Sequence, residues 1–190
     1  LSVATSGIRP LIAMRASPAL EREVANVAGL KRAIEEPTVS TIILRGGAYN
    51  FTDEINSEAG PTALLFRGRN VALRAKDDER VVLDAGASAA NPRRVISVLN
   101  SEVDIRGVEI TGGYVDDSAR GGGLFVFGSG TRLLLDRCRV HANTVHPTTG
   151  SAQGGGMDIS SSAYVHLVHT TIEANKLITA TGNTAGSAHG

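Results

Sequence analysis

Tryptophan is absent from this sequence of 190 residues, aromatic side chains make up only 4% of it, and cysteine occurs once. A compact globule ordinarily fills its centre with more aromatic volume, so a thin core of stacked aliphatic side chains is the better expectation. A single cysteine, Cys138, permits no internal disulfide and leaves the redox compartment undecided. Its neighbours Arg137 and Arg139 point away from it on a strand, so Cys138 reads as a small buried hydrophobe rather than a reactive thiol. Net charge is missing as well: 19 basic residues balance 19 acidic ones, which gives no electrostatic footprint for nucleic acid or an anionic membrane. No run approaches the roughly 18 apolar residues of a spanning helix, so no transmembrane segment is expected.

What the chain does have is glycine, 22 residues of it, and 42% hydrophobic residues, enough to fill the core of one domain. Two stretches repeat: GGGLFVFGSGTRLLLDRCRVHAN (Gly121 to Asn143) and GGGMDISSSAYVHLVHTTIEAN (Gly154 to Asn175). Gly121 to Gly154 is an offset of 33 and Asn143 to Asn175 an offset of 32. Strand-like alternation inside such a period leaves no room for a long helix and predicts an all-β solenoid in which each repeat is one coil.

Residues 1–20 carry Gly7, Pro10 and Pro18 with little periodicity and read as a linker or the end of an upstream segment; residues 21–190 form the solenoid domain. Opening on Leu1 and stopping at Ala188-His189-Gly190, the chain reads as a fragment or processed piece, truncated at its C-terminal end. EREVANVAGLKRAIEEP predicts a short strand, Asn26 as a helix N-cap, and a helix ending before Pro37. Val27, Leu30 and Ile34 share a face of that helix, which would cap the open first coil. Coils begin with TIILRGGAYNF, turned by Gly46 and Gly47.

Placing Ile110, Val140 and Ile172 in one column brings Val103, Leu133 and Val165 into a second, and Ile105, Leu135 and Leu167 into a third. Val71 and Leu73 extend the last two back by one coil. The inward parity changes between Ile105 and Ile110, which predicts a corner at Arg106-Gly107 and puts Val108, Cys138 and Thr170 in another inward column. The charged segment Ala75 to Arg80 reads as a looped-out corner, and the loops YVDDSARGGG and TVHPTTGSAQGGG leave from one edge. In a solenoid that edge, or the sheet face beside it, is where ligand contacts accumulate.

Coils stack about 4.8 Å apart, so outward residues acquire axial neighbours. Arg106 falls beside Asp136, Glu109 beside Arg139 and His141 beside Glu173, a ladder of surface pairs each worth at most about 1 kcal/mol. Asn143 and Asn175, with Gly113 in the matching place, are expected in the left-handed conformation at a bend, with stacked Asn side chains hydrogen-bonding up the column. The structural reading of these asparagines is preferred to sugar binding.

From about Glu21 onward the chain resembles the pectin-lyase-like right-handed parallel β-helix. The helix before TIILRGGAYNF, the pair NVALRA and VVLDAG, and the GGG-opened coils ending on Asn carry the resemblance. The coils GGGL...VHAN and GGGM...IEAN are also similar to the repeats of polymorphic outer-membrane proteins, a GGA-aliphatic motif paired with Phe-x-x-Asn. Here a third glycine replaces the alanine, and Val140 and Ile172 stand where Phe would be.

The resemblance implies a right-handed parallel β-helix with a short N-terminal capping helix, and it brings polysaccharide lyases and hydrolases into view. Polygalacturonase-like enzymes order Asn-x-Asp, Asp-Asp, Gly-His-Gly and Arg-x-Lys; this chain has no Asn-x-Asp. Its pairs Asp77-Asp78 and Asp116-Asp117 lie in loop-like text, Arg74-Ala75-Lys76 comes too early, and Ala188-His189-Gly190 is a weak echo. A lyase needs carboxylates for Ca²⁺ and a cation beside the uronate. Arg139, His141 and Glu173 on one outward face, with Arg106 and Asp136 at the adjoining corner, supply those residue types and are the candidate ligand-facing set. Against that role stands the ordinary solvated charge of any soluble sheet.

No metal site is expected from the five histidines, His141, His146, His166, His169 and His189, which lack ligand spacing, and the corner separates His166 from His169 onto different sheets. Asn50-Phe51-Thr52 is a glycosylation sequon, relevant only to a secreted eukaryotic chain, and the glycine triplets lack the Lys-Ser/Thr of a phosphate loop. The expectation is therefore a non-catalytic scaffold or binding module of an extracellular or surface protein, with a polysaccharide or protein ligand, no nucleic acid and no cofactor. The alternative is a lyase or hydrolase acting on an acidic polysaccharide, and Ca²⁺ enters only there.

Overall fold

The computed structural model describes residues 20–58, 60–116, 120–147 and 152–178. The expected linker over residues 1–20, apart from Leu20, and the C-terminal end with His189 lie outside them, as does Asp117. The chain opens with β1 (Leu20–Val24) and α1 (Val27–Glu35). Asn26 caps the helix as expected: its backbone is extended and its side-chain oxygen accepts from the Gly29 N–H at 2.8 Å. Leu30, Ala33 and Ile34 are buried, so the apolar face lies on the first coil.

Strands then follow in the order demanded by a winding chain. The first winding holds β2 (Val39–Leu44) and β3 (Gly47–Asn50). The next holds β4 (Thr62–Arg67), β5 (Asn70–Ala75) and β6 (Val81–Asp84). After it come β7 (Arg94–Leu99), β8 (Glu102–Arg106), β9 (Val108–Thr111) and β10 (Tyr114–Val115). The repeat beginning at Gly121 supplies β11 (Leu124–Phe127), β12 (Arg132–Asp136), β13 (Arg139–His141) and β14 (Thr144–Val145). Its copy supplies β15 (Met157–Ser160), β16 (Tyr164–Val168), β17 (Thr171–Glu173) and β18 (Lys176–Leu177).

Every ladder between these strands is parallel, and each joins a strand to its counterpart one winding away. The first sheet runs β1-β2-β5-β8-β12-β16, the second β3-β6-β9-β13-β17, the third β4-β7-β11-β15, and a small fourth β10-β14-β18. The protein is a parallel β-solenoid of about four turns. The two-residue strands of the fourth sheet carry no periodicity of their own, which is why the sequence pattern does not announce them.

The aliphatic columns superpose in the expected register. Val71, Val103, Leu133 and Val165 are successive Cα partners, as are Leu73, Ile105, Leu135 and Leu167. Leu83, Ile110, Val140 and Ile172 form the column on the second sheet. Ile105, Leu135, Ile110 and Val140 are fully buried. Leu167 and Ile172, at the same inward places in the last winding, are 43% and 42% exposed, because among the described residues no coil stacks on them.

The first corner lies where the parity change put it. Gly107, Arg137 and His169 take left-handed backbone there with φ of 70, 53 and 47°. His169 therefore sits on the corner itself, while His166 lies on the first sheet. Cys138 is buried, as expected, and its thiol donates to the Ile105 carbonyl oxygen at 3.3 Å; Thr170 Oγ1 donates to Leu135 O at 3.1 Å one coil on. The looped-out segment between β5 and β6 turns through left-handed Asp77 and Asp78.

At the second bend the expectation needs correcting. The left-handed residues are Gly112, Ala142 and Ala174, one place before Gly113, Asn143 and Asn175. The asparagines follow the turn, which aims their side chains along the solenoid axis. Asn143 Oδ1 accepts from the Gly113 N–H at 2.9 Å, and Asn143 Nδ2 donates to Ile110 O at 3.2 Å and Asn175 Oδ1 at 3.0 Å. Asn175 Nδ2 donates to Val140 O at 2.9 Å. Asn143 is wholly buried within this ladder.

The ladder also explains the glycine triplets. A Cβ on Gly122 would approach Gly155 O to 2.6 Å, and one on Gly123 would approach Gly156 O to 2.6 Å and Asn143 Nδ2 to 2.8 Å. The backbones of successive windings touch there, so only glycine fits.

Candidate functional site

Two outward faces hold groups that could meet a ligand. On the second sheet, Glu109 and Arg139 are Cα partners, and so are His141 and Glu173. The side chains choose differently. Arg139 Nε donates to Glu173 Oε1 at 2.6 Å, and His141 Nε2 lies 3.2 Å from Glu109 Oε2, with Arg139 Nη1 at 3.8 Å from the same oxygen. Long side chains lean along the strand and reach the diagonal neighbour, two residues from the direct partner. The expected His141 to Glu173 contact is thereby replaced by His141 to Glu109.

Glu109 also receives Arg80 at 2.6 and 3.2 Å from the looped-out corner. That hydrogen bond holds its carboxyl below the usual carboxylate range, aided by His141 and opposed by partial burial. Arg106 turns mainly to Asp104 on its own strand, at 2.6 Å, and reaches Asp136 only at 4.0 Å. The five sequence candidates thus fall into two clusters, Arg139, His141 and Glu173 on the second sheet and Arg106 with Asp136 at the end of the first. Each is engaged in charge pairs with its neighbours. Among the described residues no group of three or more His, Cys, Asp or Glu side chains could hold a metal ion.

The third sheet presents something else. Leu64, Phe66, Ile96, Val98, Leu124 and Val126 point inward and are fully buried. Strand alternation therefore turns Phe125 and Phe127 outward. Their rings stack with centroids 5.7 Å apart and planes 19° apart. Arg94 lies over the Phe125 ring, its guanidinium carbon 5.1 Å from the centroid, and donates to Arg120 O at 3.2 Å. Burial lowers the Arg94 guanidinium to about 10, against the attraction of Asp158. Asp158, the Cα partner of Phe125, is itself buried.

Over this floor lies a groove of about 630 Å³. Pro61, Pro92, Leu99 and Val115 wall it, Glu58, Asp116 and Arg120 bring polar groups to its rim, and Arg94 lies buried in its floor. Gly60, Pro61 and Pro92 come from the connections into β4 and β7, Val115 from the end of β10, and Asp116 from the loop that follows it. A second depression, about 370 Å³, lies on the first sheet over Ala72, Asp104, Leu134, Tyr164 and His166; it is the smaller of the two. Sequence reasoning placed the ligand-facing set on the second sheet and the corner beside it, and did not single out the third. The signal was present in Phe125-Val126-Phe127, where two of the four phenylalanines stand two apart around an inward valine.

No protein-family model, curated protein or solved structure matches this chain.

Proposed function

We propose that this chain is a non-catalytic β-helix module, akin to the pectin-lyase-like helices, serving an extracellular or surface protein as a rigid scaffold that binds a polysaccharide or protein ligand, as in adhesion. The observation that carries this reading is the groove above the stacked Phe125 and Phe127 rings. It has the size and apolar lining of a ligand site, with few polar groups and a floor pinned by a sheet. The ion-pair ladder of the second sheet supports it indirectly, since Arg139 and Glu173 already satisfy one another.

The test pairs binding with turnover. Immobilised polysaccharides and matrix proteins are challenged with the purified chain, and the same chain is incubated with uronate polymers with and without Ca²⁺. Saturable retention, lost with Phe127→Ala, and no unsaturated product absorbance are expected. Product formation would overturn the non-catalytic reading in favour of a carbohydrate-active enzyme, and loss of that product in Arg139→Ala would locate the chemistry on the second sheet.

A further inference from the structure

The groove of the third sheet has a composition that selects among ligands. Resting on the binding-module reading, we propose that it takes a neutral sugar ring, stacked on Phe127 and hydrogen-bonded by the charged rim.

Shape comes first. Phe125 is buried beneath Arg94, whereas Phe127 is 39% exposed, so the free aromatic surface is one ring face at the end of β11. Leu99, the Cα partner of Phe127 on β7, is buried beside it. A flat aromatic face backed by apolar walls accepts a ring with an apolar face of its own. The C–H face of a pyranose is such a surface, and its hydroxyls project around the edge.

Charge comes second. Among the described residues the rim contributes one guanidinium group, Arg120, and two carboxylates, Glu58 and Asp116, while Arg94, 3% exposed, lies beneath it over Phe125. Glu58 is ion-paired with Arg67, Arg94 is attracted to Asp158, and Arg120 Nη1 reaches Ser160 Oγ at 3.4 Å. An acidic sugar would bring a third negative charge to a rim with no surplus cation among the described residues. A purely apolar ligand would desolvate Glu58, Asp116 and Arg120 and return no hydrogen bonds. A neutral sugar offers each hydroxyl as both donor and acceptor, which is what a mixed rim of guanidinium and carboxylate groups can satisfy.

Backbone comes third. A peptide that binds by adding a strand would need a free strand edge, but β7 and β11 lie inside the third sheet and pair on both sides. Among macromolecular ligands the groove therefore favours a glycan over a peptide strand.

The experiment uses the whole chain with ¹³C-labelled phenylalanine, which gives ring signals from only Phe51, Phe66, Phe125 and Phe127. Neutral gluco-, manno- and galacto-oligosaccharides, a galacturonate oligomer and an extended aromatic-rich peptide are titrated in turn. Saturable shifts of Phe125 and Phe127 with at least one neutral oligosaccharide are expected, little changed between low and high salt. Phe127→Ala should weaken that binding at least tenfold and Phe127→Tyr should retain it, while Phe51 and Phe66 signals report that the fold persists. Tighter binding of the uronate or the peptide at the same rings would overturn the sugar assignment and leave the binding-module reading standing. Rings unmoved by every probe would overturn the assignment too, and retention on the immobilised panel then decides the module reading separately.

Discussion

Asn143 concentrates more hydrogen-bonding than any surface pair, because its amide is buried and spans three windings. It accepts from the Gly113 N–H and donates to Ile110 O, His141 O and Asn175 Oδ1. Replacing it with alanine strands a buried N–H and two carbonyls, each costing on the order of 1–3 kcal/mol when unsatisfied. Asn143→Ala is therefore expected to lower unfolding free energy by roughly 2–4 kcal/mol in urea titration. Asn175→Ala should cost less than half as much, since Asn175 is only partly buried and water can reach its partners. Burial also pushes the Cys138 thiol up, despite the backbone groups around it. Native protein should react with a thiol reagent at least ~10-fold more slowly than urea-unfolded protein, measured by absorbance. The hydrogen bond between stacked asparagines was legible from the repeat, but the turn was read one residue late: left-handed Ala142 does the turning, which leaves Asn143 to do the bonding.

At the scale of a strand, the second sheet shows how register and side-chain contact separate. The Cα pairing of Glu109 with Arg139 followed from apolar columns alone, because a slip of one residue would turn Glu109 and Arg139 inward. The diagonal contacts did not follow, because strand twist and side-chain length choose among neighbours a few ångströms apart. Glu109 now sits among Arg80, Arg139 and His141. Its folded carboxyl is held below its ordinary value near 4.5, so its contribution is present above that pH and is lost as pH falls through the lowered folded value. Denaturant midpoints measured from pH 6 down to pH 2 should fall in the wild-type chain. Glu109→Gln should remove part of that fall, at most about 1 kcal/mol for an exchange-accessible surface pair.

Across the molecule, stability is a sum of windings and the contacts between them. One end is closed by α1, whose Leu30 is fully buried on the first coil. At the other end β16 and β17 have a strand neighbour on one side only among the described residues, and Leu167 and Ile172 are part-exposed. Hydrogen exchange should follow this gradient. Amides of β16 and β17 are expected to exchange at least ~10-fold faster than those of β8 and β9, read by mass spectrometry after proteolysis. Equal protection in the two regions would mean that the last winding is covered.

The amino-acid order by itself determined the winding: its period, its inward columns, the capping helix at Asn26 and the corner at Gly107. Those features are written in local sequence, the winding by repetition and the helix by its cap, and alternation at fixed spacing leaves only one face that can be buried. Tertiary structure alone decided which outward face is concave, because Pro61, Arg94, Asp116 and Phe127 belong to separate windings and connections. It also decided which charges are already satisfied by one another, since diagonal reach depends on where the twisted strands finally place each side chain.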